Sequence, residues 1–202
     1  RIIGLDLENE EQRKELQLLI EKETPNICML VNCAGFGLMG DFEQLDMQEQ
    51  LNMVELNCKA LTAVTYMAIP YMVRNGRIIQ LASAAAFVPQ AHFAVYAATK
   101  SYVLSFSRAL QEELIPKEIF VTAVCPGPVD TEFNDVANVK FALKGLSSEY
   151  VAKYGIEKML KGKLVIVPGK TMKLMRFLTK ITPDKILLKV AYHQQKKKRE
   201  EK

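Results

Sequence analysis

The chain has 202 residues, 49% of them hydrophobic and 25% charged, which fits one sizeable globular domain and excludes extended disorder away from the chain's end. The net charge is +4, but no basic stripe interleaved with aromatic residues occurs, which argues against nucleic-acid binding. No apolar run reaches the roughly 18 residues that span a bilayer, and we expect no signal peptide. With two histidines and four cysteines that form no CxxC pair, the spacing offers no metal site, and we expect reduced, mostly core cysteines in a cytoplasmic protein.

Strand-like and helix-like segments alternate along the first half of the chain. The pattern predicts the end of a strand over Arg1–Leu7, a surface helix over Glu8–Lys22, a strand buried on both faces over Ile27–Cys33, a glycine-bearing loop over Gly35–Gly40 and a long helix over Met47–Arg74. We expect Pro70 to kink or break that helix, and Gly76 to end it.

The second half continues this alternation. It predicts a buried strand over Arg77–Ser83, a loop over Ala84–Phe93 and a helix over Ala94–Leu114. A strand over Ile119–Cys125 and a turn at Pro126-Gly127-Pro128 are predicted next, followed by a helical excursion over Asp130–Lys161. The last predicted elements are a short strand over Lys163–Val167 and a basic, apolar segment over Lys170–Tyr192 that is interrupted at Pro183. Such alternation is typical of an α/β domain with a mostly parallel sheet.

Tyr96 and Lys100 are four residues apart on the predicted helix over Ala94–Leu114, so their side chains share a face. A phenol has an ordinary pKa of about 10, and a nearby ammonium lowers it by stabilising the phenolate. Ser83, at the end of a predicted strand, could hold a substrate oxygen beside the phenol. Alone, a tyrosine and a lysine at this spacing are common on helix surfaces, but with Ser83 they favour proton transfer to or from a carbonyl or alcohol oxygen.

Five motifs in order strengthen this interpretation. They are Asn32-Cys33-Ala34-Gly35 after a strand, Asn57 within a long helix, Ser83, the pair Tyr96 and Lys100, and Pro126-Gly127-Pro128-Val129-Asp130-Thr131 after another strand. This series closely resembles the short-chain dehydrogenase/reductase family and covers the chain to about Gly169. The resemblance implies a Rossmann-like, doubly wound parallel sheet and an oxidoreductase that uses NAD(P) for hydride transfer to a carbonyl or from an alcohol.

The resemblance also implies a catalytic role for each matching residue. Tyr96 would be the general acid in reduction and the base in oxidation, while Lys100 would lower the phenol's pKa and bind the nicotinamide ribose. Ser83 would hydrogen-bond the substrate oxygen. Asn57 would hold a water that links Lys100 to solvent from within a distorted helix; alternatively, it is a polar group satisfied by its neighbours.

Further positions match the family's cofactor contacts. Asn32, Ala34 and Gly35 would run beside the adenosine ribose, with Cys33 in place of the family's second asparagine. Asp6 would contact the adenine amino group, or else cap the following helix. Val129 and Thr131 would contact the nicotinamide carboxamide, and Pro126 and Gly127 would belong to the same cofactor-binding turn, although Pro126-Gly127-Pro128 could be a plain turn. His92 could touch substrate or be simply exposed.

No glycine-rich phosphate-binding turn precedes Asp6, and the chain opens on what resembles the family's third strand. We therefore expect the first βαβ unit to be lacking in this chain, leaving unpaired strand edges, and expect NAD(P) to bind weakly or not at all to these 202 residues alone. Two explanations stay open. The sequence is a fragment, or it is a natural variant that serves as a non-catalytic interaction module.

The remaining predictions concern substrate and partners. We predict a partial domain over 1–169 that contains a substrate-loop region over 130–161. The apolar residues of this loop favour an apolar substrate, although most of them could instead pack a lid helix onto the domain. These residues are Phe133, Val136, Val139, Phe141, Leu143 and Leu146. Residues 170–202 form a basic amphipathic extension ending in Lys196-Lys197-Lys198-Arg199, and resemble the DltE-like or ketoacyl-reductase-like branch. The extension could contact an anionic membrane surface, but a helix covering the sheet or a dimer partner is favoured. The long helices predict a homodimer or homotetramer.

Overall fold

A computed structural model describes residues 1–137 and 145–200. Of the predicted substrate-loop residues, Val139, Phe141 and Leu143 lie outside the described residues. The described helices are α1 Glu10–Glu23, α2 Met47–Val54, α3 Leu61–Ala68, α4 Ala94–Leu114, α5 Phe133–Val136, α6 Ser148–Leu160, α7 Lys170–Ile181 and α8 Asp184–Glu200. The described strands are β1 Ile27–Asn32, β2 Met72–Leu81, β3 Phe120–Val124, β4 Val129–Asp130, β5 Leu146–Ser147 and β6 Val165–Ile166.

The main sheet has the order β1-β2-β3-β6 among the described residues, and all of its pairings are parallel. Successive strand residues point to opposite faces, so neighbouring positions of β2 reach different layers. Ile78 packs with Leu110 and Leu114 of α4, whereas Ile79 packs with Val151 and Met159 of α6. Helices therefore cover both faces, which confirms the predicted doubly wound α/β fold.

The first strand differs from its prediction. Ile27–Asn32 is a strand, but it lies at the edge of the described sheet, and Met29 and Val31 are 39% and 47% exposed. Cys28 and Cys33 are exposed as well, and only Cys125 of the four cysteines is buried. The prediction of burial on both faces is wrong because β1 pairs with β2 alone among the described residues. The predicted strand over Arg1–Leu7 is also wrong, since no described strand pairs with this backbone and residues 1–6 are irregular.

The long helix predicted over Met47–Arg74 is interrupted twice. A π-helix over Glu55–Ala60 separates α2 from α3, and a 3₁₀ turn over Ile69–Tyr71 contains Pro70. Proline has no N–H to continue the helical ladder, so Pro70 ends the helix as expected. However, β2 begins at Met72, and Gly76 is buried within this strand instead of ending the helix. Met72 pairs with Ile27 of β1, and the register then shifts so that Arg77 pairs with Met29, which leaves residues 73–76 as an irregular part of β2.

A polar cluster ties the edge strand to the rest of the fold. The side-chain amide of Asn32 donates to Thr65 Oγ1 at 3.0 Å and to Gln80 Oε1 at 2.9 Å, and the Gln80 amide donates to Thr65 Oγ1 at 2.9 Å. These residues belong to β1, α3 and β2, and both Thr65 and Gln80 are fully buried. Because buried polar groups are costly when unpaired, this closed set fixes how α3 sits on the sheet.

Candidate active site

The carboxyl ends of β1, β2 and β3 meet at one edge of the sheet, and three of the predicted motifs follow directly from these ends. Gly35 lies after β1, Ser83 after β2, and Pro126 after β3. The amino-terminal part of α4 reaches the same edge and carries Tyr96 and Lys100. In parallel sheets this edge is where ligands bind, so the fold places these predicted side chains around one candidate site.

Ser83 and Tyr96 form the centre of the site. The Ser83 hydroxyl accepts a hydrogen bond from the Ala85 N–H at 3.1 Å, which fixes the side chain at the start of the short 3₁₀ turn Ala84–Phe87. Tyr96 is only 7% exposed. Burial raises the pKa of the phenol to about 12, and the neighbouring Ser83 hydroxyl opposes this rise. Tyr96 is therefore a neutral phenol at physiological pH.

Lys100 lies one turn further along α4 and is 4% exposed. Its ammonium donates to the backbone oxygen of Leu81 at 2.8 Å, at the end of β2. Burial lowers the pKa of Lys100 to about 8, against the smaller opposing effect of the Cys58 and Cys33 thiols. The group is thus mostly charged at pH 7 and half deprotonated about one pH unit higher.

The expected lowering of the phenol's pKa by Lys100 is not what this structure shows. The Lys100 ammonium lies 5.8 Å from the centroid of the Tyr96 ring and bonds to Leu81, so desolvation dominates and the pKa of Tyr96 rises. The two side chains do lie on one face of α4, as the spacing predicts. In the resting site, desolvation of the phenolate outweighs its attraction to the Lys100 ammonium.

Asn57 lies in the π-helix, and this is the distorted helix that the resemblance led us to expect. Its side chain is 1% exposed and fully engaged. The amide oxygen accepts from the Phe36 N–H at 3.1 Å, while the amide nitrogen donates to the Phe36 oxygen at 2.8 Å and to Thr99 Oγ1 at 3.0 Å. Asn57 therefore clamps the loop after β1 onto α4, which agrees with the alternative of a polar group satisfied by its neighbours.

Two glycines let that loop approach the site closely. A Cβ at Gly35 would lie 2.6 Å from Asn57 Oδ1 and 3.4 Å from Lys100 Nζ. A Cβ at Gly37 would lie 2.6 Å from Cδ2 of the Tyr96 ring. Any side chain at these positions would displace a site residue, so the loop needs glycine where it passes over Lys100 and Tyr96.

Two aromatic rings pack against the Tyr96 phenol. The Phe93 ring is stacked on Tyr96 with centroids 4.4 Å apart, and Phe133 of α5 is tilted against it at 5.4 Å. Met53 and Ala85 complete this buried cluster, with Leu38 at its margin. The surroundings of the reactive hydroxyl are therefore mainly apolar.

The remaining predicted cofactor contacts lie in different surroundings. Asp6 is exposed, and its carboxylate accepts from the Glu8 N–H at 2.9 Å; the alternative that it caps α1 is wrong, because Asn9 is the cap. Ala34 is exposed beside β1. Pro126 is buried and its oxygen accepts from the Ala84 N–H at 2.8 Å, so the turn after β3 is pinned to the end of β2.

The rest of that turn leads into α5. Val129 pairs with Leu146, and its backbone oxygen accepts from the Asn134 amide at 3.1 Å. Thr131 is exposed, and its backbone oxygen accepts from the Asn134 N–H at 3.2 Å. A Cβ at Gly127 would lie 2.7 Å from the Met172 side chain of α7. The C-terminal segment thus reaches the margin of the site.

Sequence reasoning missed one group that shapes the site, Thr99, and left the surroundings of another, His92, open. Thr99 is buried and bridges the Tyr96 backbone oxygen, at 2.8 Å, to the Asn57 amide. Its only signal was its place between Tyr96 and Lys100. His92 is not simply exposed: its ring contacts an Asp41 carboxylate oxygen at 2.5 Å and stacks on Tyr192 of α8 with centroids 5.7 Å apart. A contact between residues so far apart in the chain leaves no local signal.

Metal-binding clusters and membrane-spanning helices are absent from the described residues. No group of three or more His, Cys, Asp or Glu side chains in residues 1–137 and 145–200 has an arrangement that could hold a metal ion. In the same part of the chain, no helix combines the length and apolar character needed to cross a membrane.

Comparison with known proteins identifies relatives in sequence and in fold. The family model described as short chain dehydrogenase matches residues 1–141. The chain is 32% identical over 168 residues to the uncharacterized oxidoreductase DltE of Bacillus subtilis, which covers 78% of this chain and 65% of that protein. It is 32% identical over 133 residues to serine 3-dehydrogenase of Rhizobium radiobacter, covering 65% of this chain and 53% of the relative. The chain thus spans about half to two thirds of the length of these relatives.

Solved structures extend the comparison to the fold. A short-chain dehydrogenase from Sphingobium yanoikuyae in complex with NADPH matches with a TM-score of 0.75 and 26% identity, over 82% of this chain and 66% of that one. The bulky-bulky ketone specific alcohol dehydrogenase from Comamonas testosteroni matches with a TM-score of 0.72 and 26% identity, over 89% and 70%. The family match over residues 1–141, together with the strand order and the grouping of Ser83, Tyr96 and Lys100, shows that this chain belongs to the short chain dehydrogenase family.

Proposed function

We propose that this chain carries the catalytic centre of an NAD(P)-dependent oxidoreductase that interconverts a carbonyl compound and its alcohol. One observation carries the proposal: the buried phenol of Tyr96 lies beside the Ser83 hydroxyl and shares its helix face with the Lys100 ammonium. A neutral phenol beside a second hydroxyl is equipped to give a proton to an oxygen atom held between the two. Solved relatives with bound NADPH support the choice of cofactor.

The residues divide the reduction between them. A bound nicotinamide cofactor would contribute hydride chemistry at the carbonyl carbon. The Ser83 hydroxyl donates to the carbonyl oxygen and stabilises the negative charge that develops there. Tyr96 transfers its proton to the same oxygen, so the product is the alcohol and the phenol becomes a phenolate. Lys100, which is charged at pH 7, stabilises that phenolate until a proton from solvent restores the phenol.

The described residues fit a nicotinamide group in two respects. Lys100 has three N–H donors and uses one of them, toward Leu81, so donors remain for ribose hydroxyls. The Asn134 amide oxygen is buried without a hydrogen-bond partner among the described residues, and it lies in the segment after Pro126-Gly127-Pro128 that is expected to meet the carboxamide. A buried acceptor of this kind is suited to an N–H from a ligand. The residues expected to hold the cofactor are Gly35, Tyr96, Lys100, Gly127, Val129 and Thr131.

An apolar carbonyl substrate is the class that this site favours. Phe93 and Phe133 flank the phenol, and the cluster around it is apolar. Burying an aliphatic or aromatic substituent against these rings is favourable, whereas the hydroxyls of a sugar would find few partners there. The ketone preference named in the Comamonas relative is consistent with this proposal.

The test is a Tyr96→Phe substitution in an assay that follows NADPH consumption with a panel of apolar ketones. We expect kcat to fall at least about a hundredfold, since the proton donor is lost while the ring is kept. Tyr150→Phe, at an exposed position of α6, is the matched control and should keep the parental rate. Equal rates for Tyr96→Phe and the parent would contradict the assignment. Titration of the folded 202-residue chain with NADPH separately tests the non-catalytic alternative, and micromolar binding would exclude it.

We further propose that the protein is a homo-oligomer that pairs through α2, α3 and α4. Large side chains on these helices are exposed, with Leu51 at 52%, Tyr66 at 77% and Tyr102 at 42%. Exposed large side chains on neighbouring helices are typical of a protein interface. Light scattering should show a dimer or tetramer, and Leu51→Glu with Tyr66→Glu should yield the monomer, whereas an unchanged mass for this variant would contradict the proposal.

A further inference from the structure

The charge of this chain is strongly divided along its length. Residues 1–160 carry 14 Lys and Arg against 20 Asp and Glu, a net charge of −6, while residues 161–202 carry 13 against 3, a net charge of +10. The overall value of +4 hides this contrast. The basic part follows α6 and includes α7 and α8, so the structure shows where much of this positive charge is displayed.

Helix α7 is held to the fold by little of its surface. Met172 is its one buried residue, packed against Val167 and Cys125. Its other large apolar side chains are exposed by 44–62%: Leu174, Met175, Phe177, Leu178 and Ile181. At about 100° per residue, Leu174, Phe177, Leu178 and Ile181 lie within one arc of about 100°, so they form a continuous apolar face. No described residue buries this face.

Cations border the apolar face on one side. Lys173, Arg176 and Lys180 follow each other along the helix and, together with Lys158 and Lys163, line a groove of about 430 Å³ between α6, β6 and α7. Val165 and Val167 form its apolar floor, and Phe177 belongs to both the groove and the exposed face. Lys163, Arg176 and Lys180 make no ion pair with any described residue. The groove therefore presents positive charge that is available to an anionic partner.

We propose that α7, the exposed side of α8 and this groove together form a docking surface for a membrane that carries anionic lipid. Apolar side chains on such a helix enter the boundary between headgroups and acyl chains, while flanking lysines and arginines face the acidic headgroups. Helix α8 extends the surface with Ile186 and Val190, which lie about 40° apart around the helix and are exposed by 52% and 50%. Its Lys185 and Lys189 add two further cations.

A second copy of this chain fits the surface less well. A two-fold pairing brings a surface against itself, so Lys173, Arg176 and Lys180 would meet the same cations of the other copy. Like charges placed opposite each other disfavour that contact. An anionic bilayer offers both chemistries that the surface lacks, namely acyl chains for Phe177 and phosphate for the cations. It is therefore the occupant that the charge pattern favours.

The test is co-sedimentation of the 202-residue chain with phosphatidylcholine vesicles and with vesicles that contain about a third phosphatidylglycerol. We expect at least about tenfold stronger binding to the anionic vesicles. Lys173→Glu with Lys180→Glu should weaken that binding at least about tenfold, because each cation near such a surface contributes about fivefold. The matched control is Lys22→Glu with Lys117→Glu, which replaces exposed lysines of α1 and of the turn after α4. This control changes the net charge by the same amount and should bind the vesicles as strongly as the parent does.

The apolar face is tested separately. Leu174→Ser with Phe177→Ser should lower binding to anionic vesicles at least about tenfold, while Leu18→Ser on exposed α1 should not change it. Circular dichroism establishes that each variant is folded. Equal binding of the parent to both vesicle types, or parental binding by the double variant at Leu174 and Phe177, overturns the proposal. The proposal is also overturned if sedimentation equilibrium shows that the parent is a dimer and the double variant at Leu174 and Phe177 is a monomer, while both bind vesicles equally.

Discussion

The active-site end of the sheet and the C-terminal helices place their side chains in opposite ways. Asn57, Tyr96, Thr99 and Lys100 are each exposed by 7% or less, and polar groups there are held by several elements at once. In α7 only Met172 is buried, while apolar side chains face outward. A buried polar site needs partners from the whole fold, whereas an exposed apolar face needs only its own helix. The two regions should therefore respond differently to substitution.

The largest expected effect concerns the buried charge of Lys100. Its pKa is lowered from 10.5 to about 8, so the folded state binds fewer protons than the unfolded state between those values. The contribution of Lys100 to the unfolding free energy is therefore fully present above pH 10.5. It is lost as the pH falls from 10.5 through 8, and the total loss is about 3 kcal/mol. Lys100→Met removes the dependence. Between about pH 7 and about pH 9.5, the unfolding free energy of the parent should therefore rise by about 2 kcal/mol more than that of the variant.

Urea unfolding at several pH values measures this shift. Lys153→Met, at an exposed position of α6, is the matched control and should follow the parent at every pH. Parallel curves for Lys100→Met and the parent would mean that the ammonium is better solvated than its surroundings indicate.

The next effect concerns the clamp between the loop after β1 and α4. Asn57→Ala removes three hydrogen bonds, two to the Phe36 backbone and one to Thr99. Since these groups are buried, we expect a loss of about 2–3 kcal/mol in unfolding free energy. Asn52→Ala, earlier in the same helical segment and bonded through its side chain to Gln48 on the surface, should cost less than about 0.5 kcal/mol. A loss at Asn57 no larger than at Asn52 would show that solvent replaces the clamp.

A smaller loss is expected where the loop passes over the phenol. Gly37→Ala places a methyl group 2.6 Å from the Tyr96 ring, and the resulting overpacking should cost about 2 kcal/mol. Gly4→Ala meets no atom within 4 Å and should be neutral. Thermal unfolding compares the two variants. Equal melting temperatures would indicate that the loop moves away without cost.

The smallest effect is expected on the exposed face of α7. Leu174→Ser should change the unfolding free energy by less than about 0.5 kcal/mol, because its side chain is already 59% exposed. Met172→Ala, two residues earlier, should cost about 2–3 kcal/mol, since it leaves a cavity against Val167 and Cys125. Similar losses at both positions in denaturant titrations would show that the face is buried in solution, and the contrast between the two regions would then fail.

The α/β class, most helix positions and the choice of candidate site residues follow from the amino-acid sequence alone. The helix over Ala94–Leu114 was predicted with its observed bounds, because its small and apolar residues repeat at helical spacing and no proline interrupts it. Ser83, Tyr96 and Lys100 were found because the residue types and their order carry the chemistry. A family resemblance then assigned their roles, and these roles stay proposals.

Burial, pKa values and contacts between distant residues depend on the three-dimensional fold. The apolar run of β1 predicted a buried strand, yet Met29 and Val31 are exposed, because burial depends on which strands lie beside a given strand and not on its own composition. The spacing of Tyr96 and Lys100 fixed their shared face. It could not show that desolvation raises the pKa of the phenol, since desolvation is set by Gly37, Phe93 and Phe133, which chain folding brings around the ring.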